Sequence, residues 1–343
     1  MFSSLIEKLQ RREELTVDEA SAAMGEIMDG RASSAQIAGL LIALAMKGER
    51  PSEVVGLART MRLRAVPLSK KFDPVFDTCG TGGDRSHTFN VSTVSALVVA
   101  ASGVRVAKHG NRSVSSQCGS ADLFEALGVN INAPPPVVER CLEEAGIAFF
   151  LAPTFHPSMR HAGPTRKELG VRTAFNLLGP LTNPAGASRQ LVGVPRPELT
   201  ELVARSLGLL GSERAWVVHG ADGLDEISTT GYTKISECRD GSVNTFYLHP
   251  SDVRIPKASP ETLRGGGADA NAQIARDVLA GGAGAPRDIV LLNAGAALFI
   301  AGAVSSISDG LVRAADALDS GRAADVLARL VRVSNASPEV ARI

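Results

Sequence analysis

Four stretches of the chain gather residue types that handle anions, cations and flat acids. The first is DTCGTGGD, from Asp77 to Asp84, a glycine-rich turn after a short apolar run. With no Cβ to block approach, backbone N–H groups there can close around an anion. Next comes TFNVST, from Thr88 to Thr93, a run of short donors at a helix start whose positive end reinforces the same region. Donors and dipole suit a phosphate or pyrophosphate, although a tight turn with an ordinary N-cap uses the same residues. The second stretch is KHGNRS, Lys108 to Ser113, followed by Ser115, Ser116, Gly119 and Ser120. Two cations beside hydroxyls and glycines suit a polyanion; a solvated loop is the plain alternative. The third runs from Arg160 to Pro184 and carries Arg160, Arg166 and Arg172. A guanidinium can hold a planar carboxylate by two hydrogen bonds, while any one surface arginine is most simply solvated. The fourth is VVHGADGLDEIS, Val217 to Ser228, in which a buried strand opens into a loop bearing Asp225 and Glu226. Paired hard oxygen ligands suit Mg²⁺, which takes its remaining ligands from water and substrate phosphate.

These stretches need elements to aim them. The first 65 or so residues read as helices only. Thr16 with Glu19 and Ser33 with Gln36 have capping-box spacing, and Ile37, Leu40, Leu41 and Leu44 fall on one helix face. From Asp73 the pattern changes. A short strand at 74–77 runs into the glycine turn; a helix spans 92–102; a strand covers 104–107. That order is a βαβ unit, which implies parallel strands with helices on the faces. Helices follow at 120–127 and 135–145, then strands at 147–151, 190–194, 214–219, 232–237 and 244–248. The last sixty residues read as helices broken by glycine. In an open α/β sheet, ligands favour the carboxyl ends of the strands, where the first, second and fourth stretches all emerge.

Composition narrows the class. The chain has 343 residues, formal net charge zero, 44% hydrophobic and 4% aromatic residues. Neutral balance gives no general pull toward nucleic acid or acidic membranes. No apolar run reaches the roughly 20 residues of a membrane helix. Cys79, Cys118, Cys141 and Cys238 are widely spaced, which suggests reduced thiols in a cytoplasmic protein rather than a zinc knuckle or a disulfide framework.

Taken in order and at these distances, GTGGD, TFNVST, KHGNRS, GSAD, RTAFNLLGPLTNP and HGADGLDE closely resemble the anthranilate phosphoribosyltransferase family over nearly the whole chain, to Asn293 and the NAGAAL run near the end. The resemblance implies an α/β fold of the nucleoside phosphorylase/phosphoribosyltransferase type. A small N-terminal helical domain, 1–70, would be joined through the helical segment near 165–185 to a large α/β domain, 71–343, with a mostly parallel central sheet. It implies a homodimer, with phosphoribosyl pyrophosphate (PRPP) bound between the domains with Mg²⁺, two ions per subunit. PRPP would meet Gly80, Gly82, Gly83, Asp84, Thr88, Asn90, Val91, Ser92 and Thr93. It would also meet Lys108, His109, Gly110, Asn111, Arg112, Ser113, Val114, Ser115 and Ser116, and then Ser120. Ser92, Asp225 and Glu226 would hold metal. Anthranilate would meet Gly80, Asn111 and Arg166, the last facing its carboxylate. Two positions depart from the common pattern: Arg85 stands where many members have glycine, and Gln117 where many have lysine.

The implied reaction is attack of the anthranilate amine on C1 of the ribose, expelling pyrophosphate, as a step of tryptophan biosynthesis. No Ser-His-Asp or Cys-His constellation is apparent, and no residue is nominated as general base. Two alternatives stand beside this reading. A pyrimidine nucleoside phosphorylase-like enzyme would need no pyrophosphate-metal site. A non-enzymatic nucleic-acid-binding relative would show excess basic charge and loss of the acidic pair.

Overall fold

The computed structural model describes residues 1–84, 86–113 and 117–337. The chain begins with four helices, α1 (Phe2–Gln10), α2 (Val17–Met28), α3 (Ser34–Lys47) and α4 (Pro51–Leu63). Both expected capping boxes form. Thr16 Oγ1 accepts from Glu19 N at 3.1 Å, and the Glu19 carboxylate accepts from Thr16 N at 2.8 Å. Ser33 and Gln36 make the same exchange. A fully buried Glu53 accepts from Leu15 N, Arg50 N and the Lys47 ammonium, which fastens the turns between these helices to α4.

The rest alternates: β1 (Phe76–Gly80), α5 (Val91–Ala101), β2 (Val106–Gly110), α6 (Ser120–Ala126), α7 (Pro135–Glu144) and β3 (Ile147–Leu151). Three short helices follow, α8 (Ala152–Phe155), α9 (Gly163–Leu169) and α10 (Phe175–Leu181), with α9 against α3 and α10 against α4. Then come β4 (Arg189–Gly193), α11 (Leu199–Leu209), β5 (Arg214–Gly220), β6 (Thr233–Arg239) and β7 (Ser242–Leu248). The last helices are α12 (Ala268–Leu279), α13 (Ala285–Ile300), α14 (Ile307–Asp319) and α15 (Arg322–Ser334). The seven strands form one sheet in the order β3-β2-β1-β4-β5-β6-β7. Its first five members run parallel; β6 pairs antiparallel with β5, and β7 antiparallel with β6. This is the small helical domain joined to a large α/β domain with a mostly parallel sheet.

One face of the sheet packs on α5, α13 and the C-terminal helices. The other packs on α10 and α11 and continues into the core of the four N-terminal helices. Arg62 of α4 donates to Leu181 O at 2.7 Å and Leu210 O at 3.1 Å, tying the helical unit to α10 and α11. The chain leaves β1 on one side to build β2 and β3, then returns to lay β4 on the other. The strand order therefore reverses between β1 and β4, and a crevice opens at their carboxyl ends.

Two strands lie further along the chain than the apolar pattern suggests. β1 runs to Gly80, because all five of its residues pair with β4. β2 covers 106–110 rather than 104–107, so Lys108 and His109 belong to the strand and not to a loop. Lysine is seldom found inside a sheet core, and this one is tolerated because backbone and hydroxyl oxygens receive its ammonium. The Ile37, Leu40, Leu41 and Leu44 stripe is fully buried within the chain, against α1 and the 160–181 segment, so it offers no free face of its own.

Candidate active site

The glycine turn leaves β1 at the point where the strand order reverses. Gly82 and Gly83 take left-handed φ values of +66° and +78°, which L side chains rarely adopt. Thr81 N donates to Gly193 O at 2.9 Å, hooking the turn onto the end of β4. Gly82 N donates to Asp225 Oδ2 at 3.0 Å, so the fourth stretch lies directly over the first. A Cβ at Gly193 would collide with the Asp225 backbone, and one at Gly80 with its carboxylate. Glycine at both strand ends is what lets the acidic loop come down onto the sheet edge.

Glu226 reaches the start of α5, where its Oε1 accepts from Ser92 N at 3.0 Å. The N-cap residue, Asn90, makes no side-chain cap bond, because its amide donates to Cys118 O and accepts from Asn271 at 3.0 Å each. The carboxylate of Glu226 thus caps the helix in its place, favoured by the helix dipole. Lys108 is 1% exposed. Its Nζ donates to Thr78 O at 2.6 Å and to Ser92 Oγ at 3.3 Å, bringing β2, β1 and α5 to one point. Beneath it, the fully buried Asp77 accepts from Asn183 Nδ2 at 2.8 Å and from His109 N at 3.2 Å. Burial pushes the Asp77 carboxyl up, and the Lys108 charge draws it back down.

The carboxyls of Asp225 and Glu226 both lie above the usual range. Burial is the main cause for each; the Asp84 charge adds to Asp225, and the Asp225 charge adds to Glu226. Two acids crowded under low dielectric are stabilised by a cation. Among the described residues no three His, Cys, Asp or Glu side chains gather into a closed cage. Mg²⁺ needs only one or two carboxylates and draws on water and phosphate for the rest. Asp225, Glu226 and the Ser92 hydroxyl fit such an ion.

The remaining nominated residues divide. Asn111 O accepts from Ala121 N and Ser120 Oγ, which folds the end of β2 against α6. Arg112 turns to α6, where it pairs with Asp122 at 3.0 Å and Glu125 at 2.8 Å, while Ser113 N donates to Asp122. Thr88 bridges to Arg264, beside a cavity of about 290 Å³ that Gln117 and Asn271 also line. Val91 is buried at the start of α5, and the buried Thr93 Oγ1 has no partner. His109 stands edge-on to His156, ring centroids 5.7 Å apart, and burial lowers its pKa to about 3. Gly110 ends β2, packed so closely that a Cβ would meet Ser120 Oγ. Val114, Ser115, Ser116 and Arg85 lie outside the described residues.

Arg166 sits in α9 with its guanidinium 5.0 Å from the Phe175 ring centroid. Among the described residues no carboxylate pairs with it, and burial lowers its pKa. Arg172 is the surprise of the third stretch. Its NH1 donates to Gly82 O at 2.7 Å and fills the space a Cβ on Gly83 would need. Nothing in the sequence sets Arg172 apart from its neighbours, and the signal for Gly193 is equally silent, since both follow from tertiary approach.

Comparison with known proteins identifies the family. Residues 3–65 match the helical bundle domain of the glycosyl transferase family, and residues 73–324 match its a/b domain. An anthranilate phosphoribosyltransferase of Moorella thermoacetica is 54% identical over 96% of this chain and 98% of its own length. That of Syntrophobacter fumaroxidans is 53% identical over 98% and 99%. The crystal structure of the Thermus thermophilus enzyme superposes with a TM-score of 0.91 at 46% identity, covering 97% of this chain and 99% of that one. The Saccharomyces cerevisiae enzyme in complex with PRPP and Mg gives 0.88 at 26% identity, with 97% of each chain covered. With both domains matched by the family models and relatives of more than 50% identity covered over nearly their whole length, the chain belongs to the anthranilate phosphoribosyltransferase family of glycosyl transferases.

Proposed function

We propose that the crevice between β1 and β4 performs the family's reaction with the residues described above. The chain transfers the 5-phosphoribosyl group of PRPP to the amine of anthranilate, giving N-(5-phosphoribosyl)anthranilate and pyrophosphate, in tryptophan biosynthesis. The observation that carries this is the meeting of four sequence-distant groups at one sheet edge: the glycine turn, the start of α5, the Lys108 ammonium and the Asp225-Glu226 pair.

In this reading the C1–N bond forms as the bond from C1 to the pyrophosphate oxygen breaks, and the electron pair leaves with pyrophosphate. Mg²⁺, when bound, neutralises charge on that leaving group. Asp225, Glu226 and Ser92 would hold it, and the reading takes two ions per subunit. The Gly83 and Asp84 N–H groups at the far end of the turn and the Lys108 ammonium donate to pyrophosphate oxygens. The same reading gives the rest of the donor to residues 88–93, 108–113 and Ser120. Arg166, which no carboxylate of the described residues pairs with, receives that of anthranilate, beside Gly80 and Asn111. An arylamine attacking an electron-deficient sugar needs little prior deprotonation, so positioning carries most of the acceleration.

The same reading divides the chain at residue 70, with 165–185 as the joining segment, and assembles it as a homodimer through the helical unit. Met46 and Leu63 support that pairing, since they remain 77% and 78% exposed there. No described helix is long and apolar enough to cross a membrane, and a cytoplasmic place fits a biosynthetic role. The test is a fluorescence assay of anthranilate consumption. Loss of signal only with PRPP and Mg²⁺ together is expected, with nucleoside plus phosphate and single-stranded DNA binding as controls. No consumption by folded protein at any Mg²⁺ concentration overturns the assignment.

A further inference from the structure

Asn293 lies on α13, outside the crevice and 0% exposed. Its Oδ1 accepts from Ile227 N at 3.0 Å, and its Nδ2 donates to Ile227 O at 2.9 Å and to Ile289 O at 2.9 Å. All of its polar atoms are therefore engaged, and two of its three bonds go to one residue 66 positions away. That residue follows Glu226 directly.

The choice of an amide here has a physical reason. Residues 221–232 form no helix or strand, so the backbone groups of the loop's buried middle, residues 227–229, have no ladder to satisfy them. At its near end, Gly220 N donates to Leu224 O, and the Asp222 carboxylate accepts from Leu224 N, Ser228 Oγ and Thr230 Oγ1. Between those anchors, the segment carrying Asp225 and Glu226 is held on its far side through Ile227. A buried amide that offers both an acceptor and a donor matches a peptide unit's N–H and C=O as another strand would. A leucine at 293 would fill the α13 core equally well, but would strand both Ile227 groups and free the segment to shift.

We propose that Asn293 is a positioning residue for the divalent-ion site: by clamping both backbone groups of Ile227, it fixes the direction in which the Asp225 and Glu226 carboxylates face the crevice. This rests on the reading that those carboxylates hold the ion.

The experiment measures Mn²⁺ binding in the presence of PRPP, by the electron paramagnetic resonance signal of free Mn²⁺, in full-length protein. Four variants are compared with the parent. Asn293→Ala removes the clamp. Asn293→Asp keeps its size and the acceptor for Ile227 N but loses both donated bonds, and it carries the test if the alanine variant does not fold. Leu298→Ala opens a cavity in the same helix, away from Ile227. Asp225→Asn with Glu226→Gln removes the ligand charges. Loss of a group that orients metal ligands costs about 10- to 100-fold in metal affinity. The Asn293 variants are expected to weaken Mn²⁺ by that factor, with the Michaelis constant for anthranilate at saturating metal within about twofold of the parent. Leu298→Ala should lower thermal stability and leave Mn²⁺ affinity unchanged. If folded Asn293 variants bind Mn²⁺ like the parent, or Leu298→Ala weakens it equally, the inference falls and Asn293 is only a core hydrogen-bonding residue. If the double carboxylate variant also binds like the parent, the metal-site reading itself fails.

Discussion

Replacing Lys108 by methionine keeps the buried stem and removes the ammonium. Two of its three N–H donors are spent on Thr78 O and Ser92 Oγ, which leaves one for a bound anion. Its charge also lowers the carboxyls of Asp77 and Glu226, both of which burial pushes up. Without it, two buried acids lose their nearest cation and one carbonyl loses its donor. Breaking a buried charge arrangement from one side costs about 3–5 kcal/mol. At about 2.1 cal/mol/K of unfolding entropy per residue, a cooperative unit of this length should lose about 4–7 °C in Tm. Turnover should fall separately, since removing one preorganised donor from a developing anion costs about 10²–10³ in kcat. Calorimetry and initial rates across PRPP concentrations read both effects on one preparation. A Lys108→Met protein with parental Tm and parental turnover would refute the argument, because the ammonium would then be neither counter-charge nor anion donor.

Other outcomes follow from the same geometry. Arg166→Ala should raise the Michaelis constant for anthranilate about ten- to a hundredfold, the worth of one charge-assisted partner, and leave that for PRPP nearly unchanged. Arg166→Lys should recover only part of it, because an ammonium lacks the guanidinium fork, and equal weakening of both substrates contradicts the assignment. His109, held near 3 by burial with help from His156 and Lys108, refuses a proton that the unfolded chain accepts below about 6.5. Its contribution to stability is complete above that pH and is lost as pH falls toward 3. Between pH 6 and 4.5, denaturant titrations should show the parent losing about 1.4 kcal/mol per pH unit more steeply than His109→Phe, and parallel curves would exclude it. Light scattering at micromolar concentration should give twice the chain mass, and Met46→Glu with Leu63→Glu should shift it toward monomer; a parent that scatters as a monomer disposes of the pairing.

What could be read from residues alone was whatever is decided locally. The capping boxes at Thr16 and Ser33 depend on three-residue spacing, and both form. The anion-handling stretches are legible because glycine, short hydroxyls and a helix start sit in one run. Strand ends were less legible, since pairing sets them: β1 continues to Gly80 because β4 is there to receive it. Lys108 looks like loop chemistry until Thr78 O and Ser92 Oγ appear beside it. The Ile37 to Leu44 stripe has the same period whether it faces a second chain or α1, and only the folded chain shows that it is spent internally. Arg172 on Gly82 O, Gly193 beneath Asp225 and Asn293 on Ile227 are meetings across long stretches of chain. No spacing encodes them.

The hydrogen bond from Gly82 to Asp225 closes a loop of 143 residues, and that span has a meaning during synthesis. At roughly 5–20 residues per second, about 7 to 30 s separate the two halves as they leave the ribosome. Over that interval the nascent chain can assemble β3-β2-β1, but β1 is then an outer strand with its hydrogen-bonding edge bare until residues 189–193 arrive to cover it. The strand that will carry the anion turn is for that time an unpaired, association-prone edge of the growing chain. A product cut short between residues 193 and 225 keeps the glycine turn, with Arg172 and the end of β4 on it, but lacks the carboxylate that Gly82 N binds.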